Sequence, residues 1–178
     1  MKQLIRIIII VTVMNCIVAV SQSLSSNSAL ESIAINYMTA FNKGDFEEVV
    51  SLMHPETIKN LKYDIIREYE KQSIEGRVDK FKSETNITKN LNELKKMDDS
   101  DVAVYLMRQN RIMAIKNSPM AVGKMQYVVV KAIGKEKIDD KTYRVKFNMV
   151  LPEDDKSIIS SGEFIIKNVN GAWKVYSN

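Results

Sequence analysis

The sequence predicts an α+β domain in which helices pack on one face of a curved, four-stranded antiparallel sheet. Three observations lead to this prediction. From residue 28 to residue 69, and again from residue 87 to residue 115, apolar side chains recur every three or four residues, which is the helical period. After Pro119 they alternate with polar side chains, as in half-buried strands. Near the end, Asn170-Gly171 is a strong hairpin signal because both residues tolerate the positive φ of a type I′ turn.

A different kind of segment precedes this domain. Lys2 and Arg6 stand before an apolar run from Ile7 to Val20, and small residues follow it. This layout is typical of a secretory signal peptide, with the cleavage expected after Ser21. The predicted organisation is a signal peptide, a polar tether and a single domain, at residues 1–21, 22–28 and 29–178. We therefore expect an exported protein, in the periplasm or outside the cell, with no stable membrane span after processing.

Two alternatives to cleavage stay open at this point. An uncleaved N terminus would anchor the protein in a membrane, although the apolar run is shorter than the ~20 residues that cross a ~30 Å hydrocarbon core. A lipid-modified Cys16 is the other alternative, but Asn15 stands where such sites carry Gly, Ala or Ser. Cleavage would remove this only cysteine, so the mature core would hold without disulfides. It would also lower the net charge from +4 to +2, since Lys2 and Arg6 are lost.

The first three helices are predicted from their caps. Ser28, with Glu31 three residues later, has the spacing of a capping box and would begin the first helix. Gly44 would end that helix, and Asp45 would cap a short second one. His54-Pro55 breaks the second helix and starts a third, because proline is preorganised for the first helical position.

The next helices are separated by a polar stretch. Residues 73–86 contain Gly76 and few apolar anchors, so we expect a mobile excursion there. A fourth helical pattern follows from Ile87 to Leu94. Asp98-Asp99-Ser100 can then cap a fifth helix that continues to Ile115.

Four strands complete the prediction. The first is expected at Met125 to Ile133 and the second at Tyr143 to Leu151, where apolar and polar residues alternate. The third is expected at about 157–167, and the last at Ala172 to Tyr176. The alternation would turn the side chains of Tyr143, Val145, Phe147 and Met149 toward the helices.

The order of elements and several short words are similar to those of one superfamily. The words are Tyr37-x-x-Ala40-Phe41-x-x-Gly44-Asp45-Phe46-Glu47, Leu52-Met53-His54-Pro55 and Gly171-Ala172-Trp173-Lys174-Val175. From Leu30 to Tyr176 the chain resembles the nuclear transport factor two-like superfamily, an α+β cone that includes ketosteroid isomerases and SnoaL-type polyketide cyclases. The resemblance implies a fold rather than an activity, because that superfamily holds enzymes, ligand carriers and structural modules. No aspartate that matches the isomerases' general base maps onto a strand here.

Five residues are candidates for a ligand pocket. Tyr37, Tyr127 and Tyr143 could bring hydroxyls into an apolar cone beside Phe147, which would suit a small apolar or amphipathic ligand. These hydroxyls could equally lie at the rim of a closed core. His54, the only histidine, is the natural group for acid–base chemistry near neutral pH. Its place directly before a proline also suits a structural helix cap.

Other classes of function lack their residues. One histidine and no mature cysteine leave no metal site, and no Gly-rich phosphate loop or nucleophile elbow indicates a cofactor or a catalytic serine. The small net charge does not indicate a basic surface of the kind that binds nucleic acid. The leading hypothesis is an exported, non-enzymatic domain that binds a small molecule or a partner protein. The alternatives are an isomerase-, cyclase- or hydrolase-like enzyme that uses His54, and a structural homodimer that pairs through its sheet face.

Overall fold

The computed structural model describes residues 29–152 and 154–177. Within these ranges seven helices precede a four-stranded antiparallel sheet, which confirms the predicted α+β class. The helices are α1 (Ala29–Lys43), α2 (Phe46–Leu52), α3 (Pro55–Ile74), α4 (Val78–Thr85), α5 (Leu91–Lys96), α6 (Asp99–Asn117) and α7 (Pro119–Met125). The strands are β1 (Val129–Asp139), β2 (Thr142–Leu151), β3 (Asp154–Val169) and β4 (Ala172–Tyr176). The predicted signal peptide and tether lie outside the described residues.

The sheet is a meander in the order β1-β2-β3-β4. In its middle, Val145 of β2 is paired with Lys135 of β1 and Phe164 of β3. The last hairpin turns at Asn170 (φ 52°) and Gly171 (φ 88°), so the predicted turn with two positive φ values is confirmed.

Helix α1 covers one face of the sheet. Its N-terminal half packs Leu30 and Ala34 against Val145 and Ile166. Its C-terminal half packs Met38 against three further buried residues of β1 and β2, namely Val130, Phe147 and Met149. The alternation in β2 thus gave the correct inward face, with Tyr143 half-buried at its end.

The predicted junctions between the first three helices are confirmed. Gly44 adopts φ +83° directly after α1, where a residue with a side chain would be strained. The Asp45 carboxylate accepts a hydrogen bond from the Glu48 amide at 3.2 Å and caps α2. The His54 ring caps α3, with Pro55 at its first position. Ser28, the predicted cap of α1, lies outside the described residues.

The predicted excursion at residues 73–86 is wrong. Helix α3 continues to Ile74, and α4 occupies Val78–Thr85. The physical reason is one aromatic anchor, since Phe81 is buried and meets Tyr69 edge-on with ring centroids 5.5 Å apart. Together α3 to α6 form what we call the helical lobe, whose core is Tyr69, Phe81, Ile87 and Leu94.

The first strand begins later than predicted. Pro119 opens the short helix α7, which buries Val122, and the chain enters β1 only at Val129. The predicted strand start at Met125 is therefore wrong, because a proline in the first turn and one buried valine favour helix over this stretch. No helix among the described residues is both long enough and apolar enough to cross a bilayer.

Candidate functional site

The five candidate pocket residues do not come together. Tyr37, Tyr143 and Phe147 lie in the layer between α1 and the sheet. His54 stands at the start of α3, and Tyr127 lies in the connection before β1 with 65% of its surface exposed.

The space between α1 and the sheet is filled by aromatic rings. Phe147 stacks on Phe164 with centroids 4.9 Å apart, and Tyr37 meets Phe164 edge-on at 5.0 Å. A Cβ added at Gly162 would lie 2.6 Å from Cζ of Phe147, so this glycine is what admits the ring. This layer is packed like a protein core.

Burial also makes Tyr37 a poor general base. Because the phenolate would be poorly solvated there, burial raises the pKa of Tyr37 to about 12. Its hydroxyl therefore stays protonated near neutral pH. Tyr143 is farther along the sheet, half-buried, with its ring edge-on to Trp173 at 5.4 Å. Neither tyrosine faces an open cavity described below.

His54 is held by local structure. Its Nδ1 accepts a hydrogen bond from the Glu56 amide at 3.2 Å, and its own amide donates to the Val175 carbonyl at 2.7 Å. The ring is edge-on to Tyr176 at 5.2 Å. Desolvation, and then the positive charge of Lys167, lower the pKa of His54, while Glu56 opposes them. A neutral imidazole is the form that can accept at Nδ1, so the lowered pKa is consistent with the capping hydrogen bond.

The same corner closes one edge of the sheet. Met53 forms an isolated parallel bridge with Val175, and Lys174 donates to the Ser51 carbonyl at 2.5 Å. The buried Thr57 hydroxyl donates to the Ser177 carbonyl at 2.9 Å and accepts from the Ser177 amide at 3.0 Å. These contacts tie β4 to α3, and His54 is one of several residues in this joint.

An open groove lies elsewhere, on the helical lobe. It has a volume of about 530 Å³ between α3, α4 and α5, and we call it the α3–α5 groove. Its lining residues are Tyr69, Ser73, Val78, Asn90, Leu91, Asn92, Glu93 and Lys96. None of the five residues singled out from the sequence is among them.

The groove is built by caps and anchors. Asn90 and Glu93 form a reciprocal capping box that starts α5, with bonds of 3.0 Å and 2.7 Å. Lys62 of α3 donates to the Met97 carbonyl at 2.6 Å and pairs with Asp99 at 3.0 Å, which fixes the end of α5 against α3. The spacing Asn90-x-x-Glu93 was available in the sequence, but the approach of α5 to α3 depends on tertiary packing.

The polar side chains of the groove differ in whether they already have hydrogen-bond or ion-pair partners. Glu93 is held by the capping box, whereas the side chains of Ser73, Asn92 and Lys96 are exposed and have no hydrogen-bond or ion-pair partner among the described residues. The neighbouring Lys95 pairs with Glu70 at 2.7 Å. The groove therefore offers a hydroxyl, an amide and an ammonium group beside apolar walls.

A second, smaller groove of about 230 Å³ lies along α1 and α2. It is lined by Asn36, Thr39, Ala40, Lys43, Asp45 and Glu48. Asp45 already serves as the cap of α2, and the volume of this groove lies below the ~300–1,000 Å³ of small-molecule sites, so it has little room for a ligand.

The sheet face turned away from α1 is where the predicted homodimer would form. Arg144 lies there between Glu136 at 3.1 Å and Glu163 at 3.3 Å, and the Ser161 hydroxyl donates to Asn148 at 2.8 Å. The charges of Arg144, Glu136 and Glu163 are thus paired within the chain. The homodimer through this face stays a prediction.

In the part of the chain that the structure describes, no group of three or more histidine, cysteine or acidic side chains could hold a metal ion. Comparison with known proteins adds no relative: no family model, curated protein or solved structure matches this chain. The resemblance to the nuclear transport factor two-like superfamily therefore stays a prediction.

Proposed function

We propose that this protein is an exported, non-enzymatic binding domain of nuclear transport factor two-like architecture, and that it binds a small amphipathic molecule in the α3–α5 groove. The observation that carries the proposal is the contrast between a filled cone interior and an open groove outside it. The signal-peptide layout of residues 1–21 supports export.

The filled interior argues against catalysis in the cone. Phe147 and Phe164 stack in the interior where the isomerase-like members of the superfamily that the sequence resembles place their catalytic groups, and the buried Tyr37 is a poor base near neutral pH. His54 lines neither groove, and its Nδ1 already accepts the hydrogen bond that caps α3. A general acid or base must come within hydrogen-bond reach of the substrate, and neither Tyr37 nor His54 lines one of the two grooves described above.

The dimensions of the α3–α5 groove support a ligand. Its volume of about 530 Å³ falls in the range of small-molecule sites, ~300–1,000 Å³. Leu91 and Val78 provide apolar wall, and Tyr69 lies beneath them. The unpartnered polar side chains at the rim can orient a bound molecule.

Binding can be tested with the neutral dye N-phenyl-1-naphthylamine, whose fluorescence rises in apolar sites. We expect saturable binding to the purified protein and at least a tenfold weaker affinity for Leu91→Arg, which fills the groove with a charged chain. Ile133→Arg is the matched control, because Ile133 is exposed on β1 and outside the groove. Absence of saturable binding, or equal affinity of Leu91→Arg and Ile133→Arg, would overturn the proposal.

Export has its own test. The intact mass of the protein recovered from the producing cell should correspond to a chain that begins after Ser21. A full-length mass in the membrane fraction would favour the uncleaved anchor, and a lipid adduct on Cys16 would favour the lipoprotein alternative.

A further inference from the structure

We propose, resting on the function above, that the ligand of the α3–α5 groove is an amphipathic carboxylate. Its apolar body would lie on Leu91 and Val78, and its carboxylate would pair with Lys96.

Lys96 is the cation of the groove that is left for a ligand. Its neighbour Lys95 is neutralised by Glu70, whereas Lys96 is exposed and has no ion-pair partner among the described residues. A lysine in the last turn also complements the helix dipole, but that role leaves the ammonium group accessible. A ligand carboxylate at the groove can reach this group.

The groove's own carboxylate does not compete for Lys96. Glu93 accepts from the Asn90 amide at 2.7 Å, while the Asn90 side chain accepts from the Glu93 amide at 3.0 Å. Both side chains are therefore held toward the backbone at the start of α5. Ser73 and Asn92 keep donors that can bond the second carboxylate oxygen.

Two other ligand classes fit less well. A cation would meet Lys96 and also Lys82, whose ammonium lies 6.0 Å from the centroid of the Tyr69 ring under the groove. A sugar ring needs an open aromatic face to stack on, but Tyr69 is only 5% exposed and its ring is packed against Phe81.

The proposal is tested by displacement of the neutral dye with three probes that each carry a ten-carbon chain: decanoate, decanol and decyltrimethylammonium. We expect decanoate to displace the dye at a concentration at least tenfold lower than either of the others. Lys96→Met should bring decanoate to the level of decanol, and Lys96→Arg should keep the preference. Lys95→Met is the matched control and should also keep it.

The outcomes separate the two proposals. Equal displacement by decanoate and decanol in the unmodified protein overturns the carboxylate assignment and leaves dye binding in the groove intact. A decanoate preference that survives Lys96→Met overturns the role of Lys96. Failure of the dye itself to bind overturns the proposed function, and the carboxylate assignment with it.

Discussion

The sheet half of the molecule, made of α1, α2 and the four strands, buries its aromatic rings differently from the helical lobe. Between α1 and the sheet, Phe147 stacks on Phe164 and fills the space that a Cβ at position 162 would need. In the helical lobe, Tyr69 and Phe81 pack beneath an open groove of about 530 Å³. The packed layer of the sheet half therefore serves the stability of the fold, whereas the helical lobe provides the accessible groove.

The most destabilising substitution should lie in the sheet half. Phe147→Ala removes a ring that is 4% exposed, and such truncations cost about 3–5 kcal/mol of unfolding free energy. The matched truncation in the lobe, Leu91→Ala, should cost about 1 kcal/mol because its side chain already borders water. Urea unfolding of both variants measures the difference. Equal losses would show that the two halves are packed alike.

The next effect tests how tightly the rings fill the interior. Gly162→Ala places a Cβ 2.6 Å from Cζ of Phe147, so the ring has to move, at a cost of about 1–3 kcal/mol. In a Phe147→Leu background the same alanine should cost less, since the clashing atom is gone. A double-mutant cycle measured by urea unfolding gives this coupling. A cost that is unchanged by Phe147→Leu would mean that the strain lies elsewhere.

A third variant tests the joint between the halves. Thr57→Val removes the hydroxyl that bonds both backbone groups of Ser177, and we expect a loss of about 1–2 kcal/mol in unfolding free energy. Thr57→Ser keeps the hydroxyl and is the control. If the valine variant is as stable as the serine variant, the C terminus does not depend on this contact.

Local signals in the sequence were sufficient for much of the fold. Gly44, Asp45 and His54-Pro55 act within one helical turn of themselves, so their caps could be predicted without the tertiary structure. The alternation in β2 likewise indicated which side chains α1 covers. The prediction for residues 73–86 failed because α4 depends on tertiary packing of Phe81 and Val78 in the core of the helical lobe, which no local signal indicates.

The site was harder to predict for the same reason. The α3–α5 groove is lined by residues of three helices, whose packing depends on Lys62 and the core of the helical lobe. No short sequence motif predicts this packing. The chosen tyrosines were residues with the right chemistry for a cone pocket. Whether such a pocket stays open depends on whether neighbouring side chains such as Phe164 fill it. The alternation pattern does not indicate that.

The smallest expected effect concerns His54. Its pKa is lowered in the folded protein, first by desolvation and then by Lys167, from an ordinary value of 6.5. As the pH falls through 6.5, the unfolded chain takes up a proton that the folded chain still refuses, so stability decreases below that pH until the folded histidine also titrates. His54→Asn keeps a capping side chain and removes this titration. From about pH 7.5 to about pH 5, the unmodified protein should lose slightly more thermal stability than His54→Asn, and only slightly because solvent screens the exposed side of the ring. Parallel curves, or a relative gain for the unmodified protein in acid, would show that the imidazole does not stay neutral at this joint.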